Sequence, residues 1–201
     1  MRRFFTESDR LEAFSDGVIA VIITIMVLEL RPPSTTSLAA LFDDWPTFAA
    51  YALSFTFVGI YWNNHHHMLR ATRGIDGRAM WTNLYLLFWL SLVPFATAWL
   101  GRNPTAKGPT AIYALVLLMC AIAYAQLQRA LLIVNGPDTP FARAVKTDVK
   151  GIGSIVLYVL ALAFGFFSPL VSDVLFVIVA VIWFVPDRRF EPLIRVKDEP
   201  E

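Results

Sequence analysis

The chain has 201 residues, 57% hydrophobic and only 16% charged, with a mean hydropathy of +0.57, which excludes a soluble globular domain of average composition and implies an integral membrane protein. Its single cysteine, Cys120, excludes an intramolecular disulfide and any thiol cluster for zinc or iron and sulfur. A net charge of +1 says little about partners, so the placement of the charges has to be read instead. Six apolar stretches predict an all-α fold in one domain over 1–201, with transmembrane helices at 11–30, 46–67, 79–100, 110–133, 151–169 and 171–186.

The first stretch, LEAFSDGVIAVIITIMVLEL, has the length of a span but holds Ser15, Asp16, Gly17 and Thr24, with Glu29 near its end. An ionisable residue inside a span is a functional-site hypothesis. At about 100° per residue, Gly17, Val21, Thr24 and Leu28 fall on one stripe with Ile25 beside it, and Asp16 points elsewhere. Reading Ser15 and Asp16 as a helix cap leaves only about a dozen apolar residues before Glu29, short for a crossing. Asp16 also interrupts the first apolar run, and no small-residue cleavage pattern follows it, so a cleavable signal peptide is not expected.

Pro32 and Pro33 end that helix, and a small, polar loop with at most a short helical turn follows. The second helix starts at Pro46 and ends through YWNNHHHMLR, where Trp62 suits an interfacial belt and Arg70 can snorkel to water. His65, His66 and His67 fan out by about 100° each and cannot all face one ion. With three histidines in the whole chain, a membrane di-iron site is not expected, and polar contacts to neighbouring helices are. The third helix carries Asn83 near its start and Pro94 and Thr97 near its end, a kink with a hydroxyl to satisfy a freed carbonyl. Tyr124, Gln126, Gln128 and Arg129 close the fourth helix as interfacial residues. The last two helices contain no deep charge, Gly151, Gly153 and Gly165 read as close-packing positions, and the tail after Pro186 is charged.

Fourteen of the seventeen Lys and Arg residues fall on one side of this topology. They are Arg2, Arg3 and Arg10; Arg70, Arg73 and Arg78; Arg129, Arg143, Lys146 and Lys150; and Arg188, Arg189, Arg195 and Lys197. Only Arg31, Arg102 and Lys107 occupy the other side, which places both termini in the cytoplasm of a multi-pass cell-membrane protein. Cations scattered through membrane-flanking loops, without interleaved aromatics, exclude nucleic-acid binding. Asp16, His65, His66 and Asn83 fall at one depth near the inner face, where a carboxylate needs imidazole and amide partners from adjacent helices. Arg10 can stack on Phe14 or reach Asp16 from the interface.

The pattern Arg10, Phe14, Ser15, Asp16, Gly17, Thr24, Leu28, Glu29, continued by Trp62, His65 and His66 and by Asn83, Leu84, Pro94, Phe95 and Thr97, resembles the bacterial relatives of the endolysosomal potassium channel transmembrane protein 175. The resemblance covers the first half of the chain, and the second half by hydropathy only. It implies a homotetramer of six-helix subunits in the lipid bilayer, no enzyme activity, no cofactor and no metal beyond permeant potassium near Thr24. It also implies a pore lined by the first helix at Val21, Thr24 and Leu28 with Ile25, with Arg10, Phe14, Ser15, Asp16, Trp62, His65, His66 and Asn83 in a structural polar network. Val21 is smaller than the Ile or Leu usual at its level. The residues agree independently, since the stripe avoids Asp16, and four copies would set rings of branched apolar side chains around a ring of hydroxyls. No TVGYG-like carbonyl filter occurs. The alternative is a proton-coupled secondary transporter using Asp16 and the histidines, against which stand the absence of a broken helix pair in corresponding halves and a polar layer near one face. A membrane enzyme is disfavoured by the histidine count and by the lack of a nucleophile with a plausible base.

Overall fold

A computed structural model of the chain describes residues 7–33, 35–72, 74–137, 139, 141–142 and 148–184. These residues form an all-helical fold: α1 Glu7–Leu28, α2 Leu38–Asp43, α3 Trp45–Ala71, α4 Gly77–Ser91, α5 Val93–Arg102, α6 Lys107–Asn135, α7 Val149–Gly165 and α8 Pro169–Phe184. Of the cations counted above, Arg2, Arg3, Arg73, Arg143, Lys146, Arg188, Arg189, Arg195 and Lys197 lie outside the described residues, as do positions 185 and 186 of the last expected helix and the tail after Pro186.

By length and composition three stretches can cross a membrane: Ser8–Leu28, Gly77–Arg102 and Lys107–Asn135. α3 is long enough, at 27 residues or about 40 Å, but its Asn63, Asn64 and three histidines dilute its apolar content. α7 and α8 are apolar but only 17 and 16 residues long, about 25 Å each against a hydrocarbon core of about 30 Å.

Local chemistry sets the boundaries. Ser37 accepts a hydrogen bond from the amide of Ala39 to open α2, the short helical turn of the loop. The Asp76 carboxylate takes the amide of Ala79 at 2.8 Å to open α4, and that of Asp148 takes Gly151 at 2.8 Å to open α7. Gly136, at φ +86°, ends α6 in a conformation that side chains resist. The expected single helix over 79–100 is two helices broken at Leu92. Pro94 lacks the amide that would bond the carbonyl of Leu90, and Leu92 N–H takes that carbonyl in a tighter turn.

α6 is the mast of the bundle, packed by α4, α5, α7 and α8, with Tyr113, Ala114, Leu117, Cys120, Ala123, Leu127 and Leu131 buried along it. α1 leans on α3, α4 and α5 at the edge of this bundle. The three glycines of α7 behave differently from one another. A Cβ on Gly165 would meet the backbone of Ala111 at 3.2 Å, a true close approach, whereas Gly153 faces open space and Gly151 sits beneath the Asp148 cap of its own helix. The tightest approach of a glycine to another helix is elsewhere: a Cβ on Gly101 would stand 2.9 Å from the Cα of Thr47, so α5 meets α3 backbone to backbone.

Candidate functional site

α1 divides cleanly into faces. Leu11, Ser15, Ile19, Ile22 and Met26, spaced four, four, three and four residues apart, are buried against the bundle. The opposite face is left uncovered: Gly17 and Thr24 are exposed, and Val21, Ile25 and Leu28 are 55%, 43% and 78% exposed. Together with Phe95, Ala98 and Trp99 of α5, part of this face lines a groove of about 1080 Å³ that reaches Glu29, Arg31 and Arg102 at one end. There Arg102 donates to Glu29 at 2.9 Å, an ion pair between two half-exposed side chains.

Thr24 lies mid-helix on the open face, and its hydroxyl donates back to the carbonyls of Val21 at 2.9 Å and Ala20 at 3.1 Å. The proton is therefore occupied, and the oxygen presents lone pairs away from the helix.

Behind that face stand two polar clusters. The first is wholly buried. Asn83 of α4 donates to Ser15 Oγ at 2.9 Å, Ser15 donates on to the Leu11 carbonyl at 2.8 Å, and Asn83 Oδ1 lies 2.7 Å from His65 Nε2. Because the Asn83 amide nitrogen is committed to Ser15, its oxygen faces the imidazole and Nε2 is the donor. The second cluster is partly open. Trp62 Nε1 donates to Asp16 Oδ1 at 3.0 Å, and His66 Nδ1 lies 2.6 Å from Glu12 Oε1. Trp62 stacks on His66 with ring centroids 6.0 Å apart and planes at 28°. One ligand atom from each of Glu12, Asp16 and His66 lies within 4.8 Å of the other two, the only such metal-capable group among the described residues.

So Ser15, Asp16, Trp62, His65, His66 and Asn83 come together at one level, in two clusters where the sequence reading had one network. Arg10 and Phe14 join neither. Arg10 is exposed, with no hydrogen-bond or ion-pair partner among the described residues, and Phe14, 53% exposed, lines the groove instead. The cause is helical rotation: positions 10 and 14 sit about 100° away from the buried 11, 15 row.

Sequence reasoning passed over two features. Glu12 is the partner of His66, and its signal was its i, i+4 relation to Asp16. The other is a buried run of hydroxyls joining three helices, in which Tyr113 of α6 and Ser54 of α3 are 2.8 Å apart, Ser54 and Thr97 of α5 are 2.7 Å apart, and Thr97 reaches the Val93 carbonyl at 2.7 Å. The sequence pointed to Thr97 as donor to a carbonyl freed by Pro94, but its hydroxyl goes to the Val93 carbonyl four residues back, whereas the carbonyl that Pro94 leaves without its amide is that of Leu90.

Comparison with known proteins places these residues in company. The family described as endosomal/lysosomal potassium channel TMEM175 matches residues 10–94. A potassium channel of Chryseobacterium is 47% identical over 182 residues, covering 90% of this chain and 95% of its own length. A potassium channel of Streptomyces collinus is 35% identical over 153 residues, 70% of this chain and 74% of that one. The crystal structure of a lysosomal potassium-selective channel TMEM175 homologue from Chamaesiphon minutus superposes with a TM-score of 0.80 at 28% identity, over 90% of this chain and 98% of that one.

Proposed function

This chain belongs to the TMEM175 family, and from that premise we propose that it forms a potassium-permeable cation channel in the cell membrane, its pore lined by α1 from four identical subunits. The observation that carries the reading is the uncovered stripe of Gly17, Val21, Thr24 and Leu28 on a helix whose other face is fully packed. A lone subunit would present the Thr24 oxygen to lipid. Four copies around an axis turn the same stripe into apolar rings at Val21 and Leu28, flanked by Ile25, with a ring of hydroxyl oxygens between them. Such a constriction holds back ions by desolvation, and the Thr24 ring replaces part of a cation's hydration shell in place of a carbonyl filter.

In this arrangement each subunit crosses the bilayer six times, as α1, α3, α4 with α5, α6, α7 and α8, and both termini lie in the cytoplasm. The exposed Arg70, Arg78 and Arg129 support that orientation through the positive-inside rule. Ser15, Asp16, Trp62, His65, His66 and Asn83 serve as the buttress that sets the angle of α1 and do not touch the permeant ion, since they attach to the side of α1 turned away from the open stripe. The pore needs no cofactor, and neither nucleic acid nor a second protein enters the proposal.

The test is recording from purified protein in planar bilayers with potassium on one side and sodium on the other. Unitary openings whose reversal potential is displaced toward that of potassium are expected. Coupled, counterflow-capable exchange without unitary current would replace the channel by a carrier.

A further inference from the structure

We propose that Glu12, Asp16 and His66 form a binding site for a divalent cation of the zinc class, bridging α1 and α3 behind the open stripe. Glu12 and Asp16 are four residues apart on α1, and Trp62 and His66 are four apart on α3, so each pair shares one face of its helix. The helices run in opposite directions and the pairs meet rung to rung: Glu12 Oε1 lies 2.6 Å from His66 Nδ1, and Asp16 Oδ1 accepts from Trp62 at 3.0 Å.

Three donor atoms within 4.8 Å of one another need only side-chain torsion to reach the spacing of about 3.4 Å that ligands keep around a tetrahedral ion with bonds of about 2.0–2.2 Å. Water would complete the set. Nitrogen with carboxylate oxygen is the donor mixture zinc accepts and magnesium does not favour.

Two further observations set this group apart from an ordinary ion pair. One imidazole faces two carboxylates, and a divalent ion among them would balance both negative charges. Arg70 and Asp9 also act on Glu12, with opposite sign and with the Arg70 effect the larger. The outer support is also built: the Trp62 indole holds one oxygen of Asp16 and leaves the other for the ion, while its ring stacks on His66 and sets the plane of the imidazole. Side-chain exposures of 28% for His66 and 16% for Glu12 leave a way in for a hydrated ion.

The inference does not depend on conduction, and its test reads binding alone. Protein purified without a polyhistidine tag is dialysed against low-micromolar zinc chloride, analysed for bound metal, and melted with and without chelator. One zinc per chain is expected, with a rise in Tm of a few degrees that chelator abolishes. Glu12→Gln and Asp16→Asn should each bind at least ~10-fold more weakly, while His67→Gln binds as the parent does. Substoichiometric zinc in the parent, or parental affinity in both carboxamide variants, would overturn the site. Should the variants fail to fold, cobalt(II) added to the parent decides. Intense four- or five-coordinate visible bands support the site, and a weak six-coordinate aquo spectrum refutes it.

Discussion

Asn83 ties three helices together through one amide: its nitrogen reaches Ser15 on α1 and its oxygen takes the imidazole of His65 on α3, all at zero exposure. Asn83→Ala should therefore destabilise the protein by about 1–3 kcal/mol, because His65 Nε2–H is left buried without an acceptor; thermal unfolding in detergent reads it directly. Substitutions on the open face of α1 should behave the other way, changing current more than stability. Val21→Leu adds a methylene at four symmetric positions of the proposed pore and should lower unitary conductance. Leu28→Ala removes four isobutyl groups and should raise it, since a wetter ring costs a cation less hydration. Thr24→Val keeps the shape, deletes the oxygen and should shift the reversal potential away from potassium. Unchanged conductance and reversal potential in all three would mean that this stripe only packs. Much of this was legible in residue type and spacing: the stripe, and the shared depth of Asp16, His65, His66 and Asn83. Which groups pair was not, because one depth admits several pairings, and only the rotation of α1 about its axis sends Ser15 to Asn83, Asp16 to Trp62 and Glu12 to His66.

Helix contacts are decided by where side chains are missing. Gly101→Ala should destabilise by about 1–3 kcal/mol, since its Cβ would stand 2.9 Å from the Thr47 Cα and backbone cannot rotate aside. Gly153→Ala, on an open face, should be neutral or stabilising by up to about 1 kcal/mol through helix propensity. Paired melting curves of the two variants check both, and equal effects would refute the close approach of α5 to α3. Hydropathy could not rank the glycines, because a small residue in an apolar run looks the same whether it meets a neighbour's backbone or lipid. It likewise announced a kink at Pro94, but not that the chain divides at Leu92 into α4 and α5.

At the scale of the molecule, the groove between α1 and α5, about 1080 Å³ and lined by Phe14, Val21, Ile25, Phe95 and Trp99, is the surface that the proposed tetramer would close. Native mass spectrometry in detergent should therefore give four chains, and a monomer that still conducts would sink the assembly. No sequence pattern announces that number, since the stripe records that α1 needs company and not how much. The direction of the Thr24 hydroxyl then reaches further than affinity. Its hydrogen is spent on its own backbone, so a closed ring of four offers a passing ion electron pairs and nothing else. A halide, whose first shell must consist of hydrogen-bond donors, would find none there and would be refused. The proposed pore would thus tell the sign of an ion without a single charged side chain at its waist, and because nothing there titrates, acid and alkali would leave that refusal unchanged.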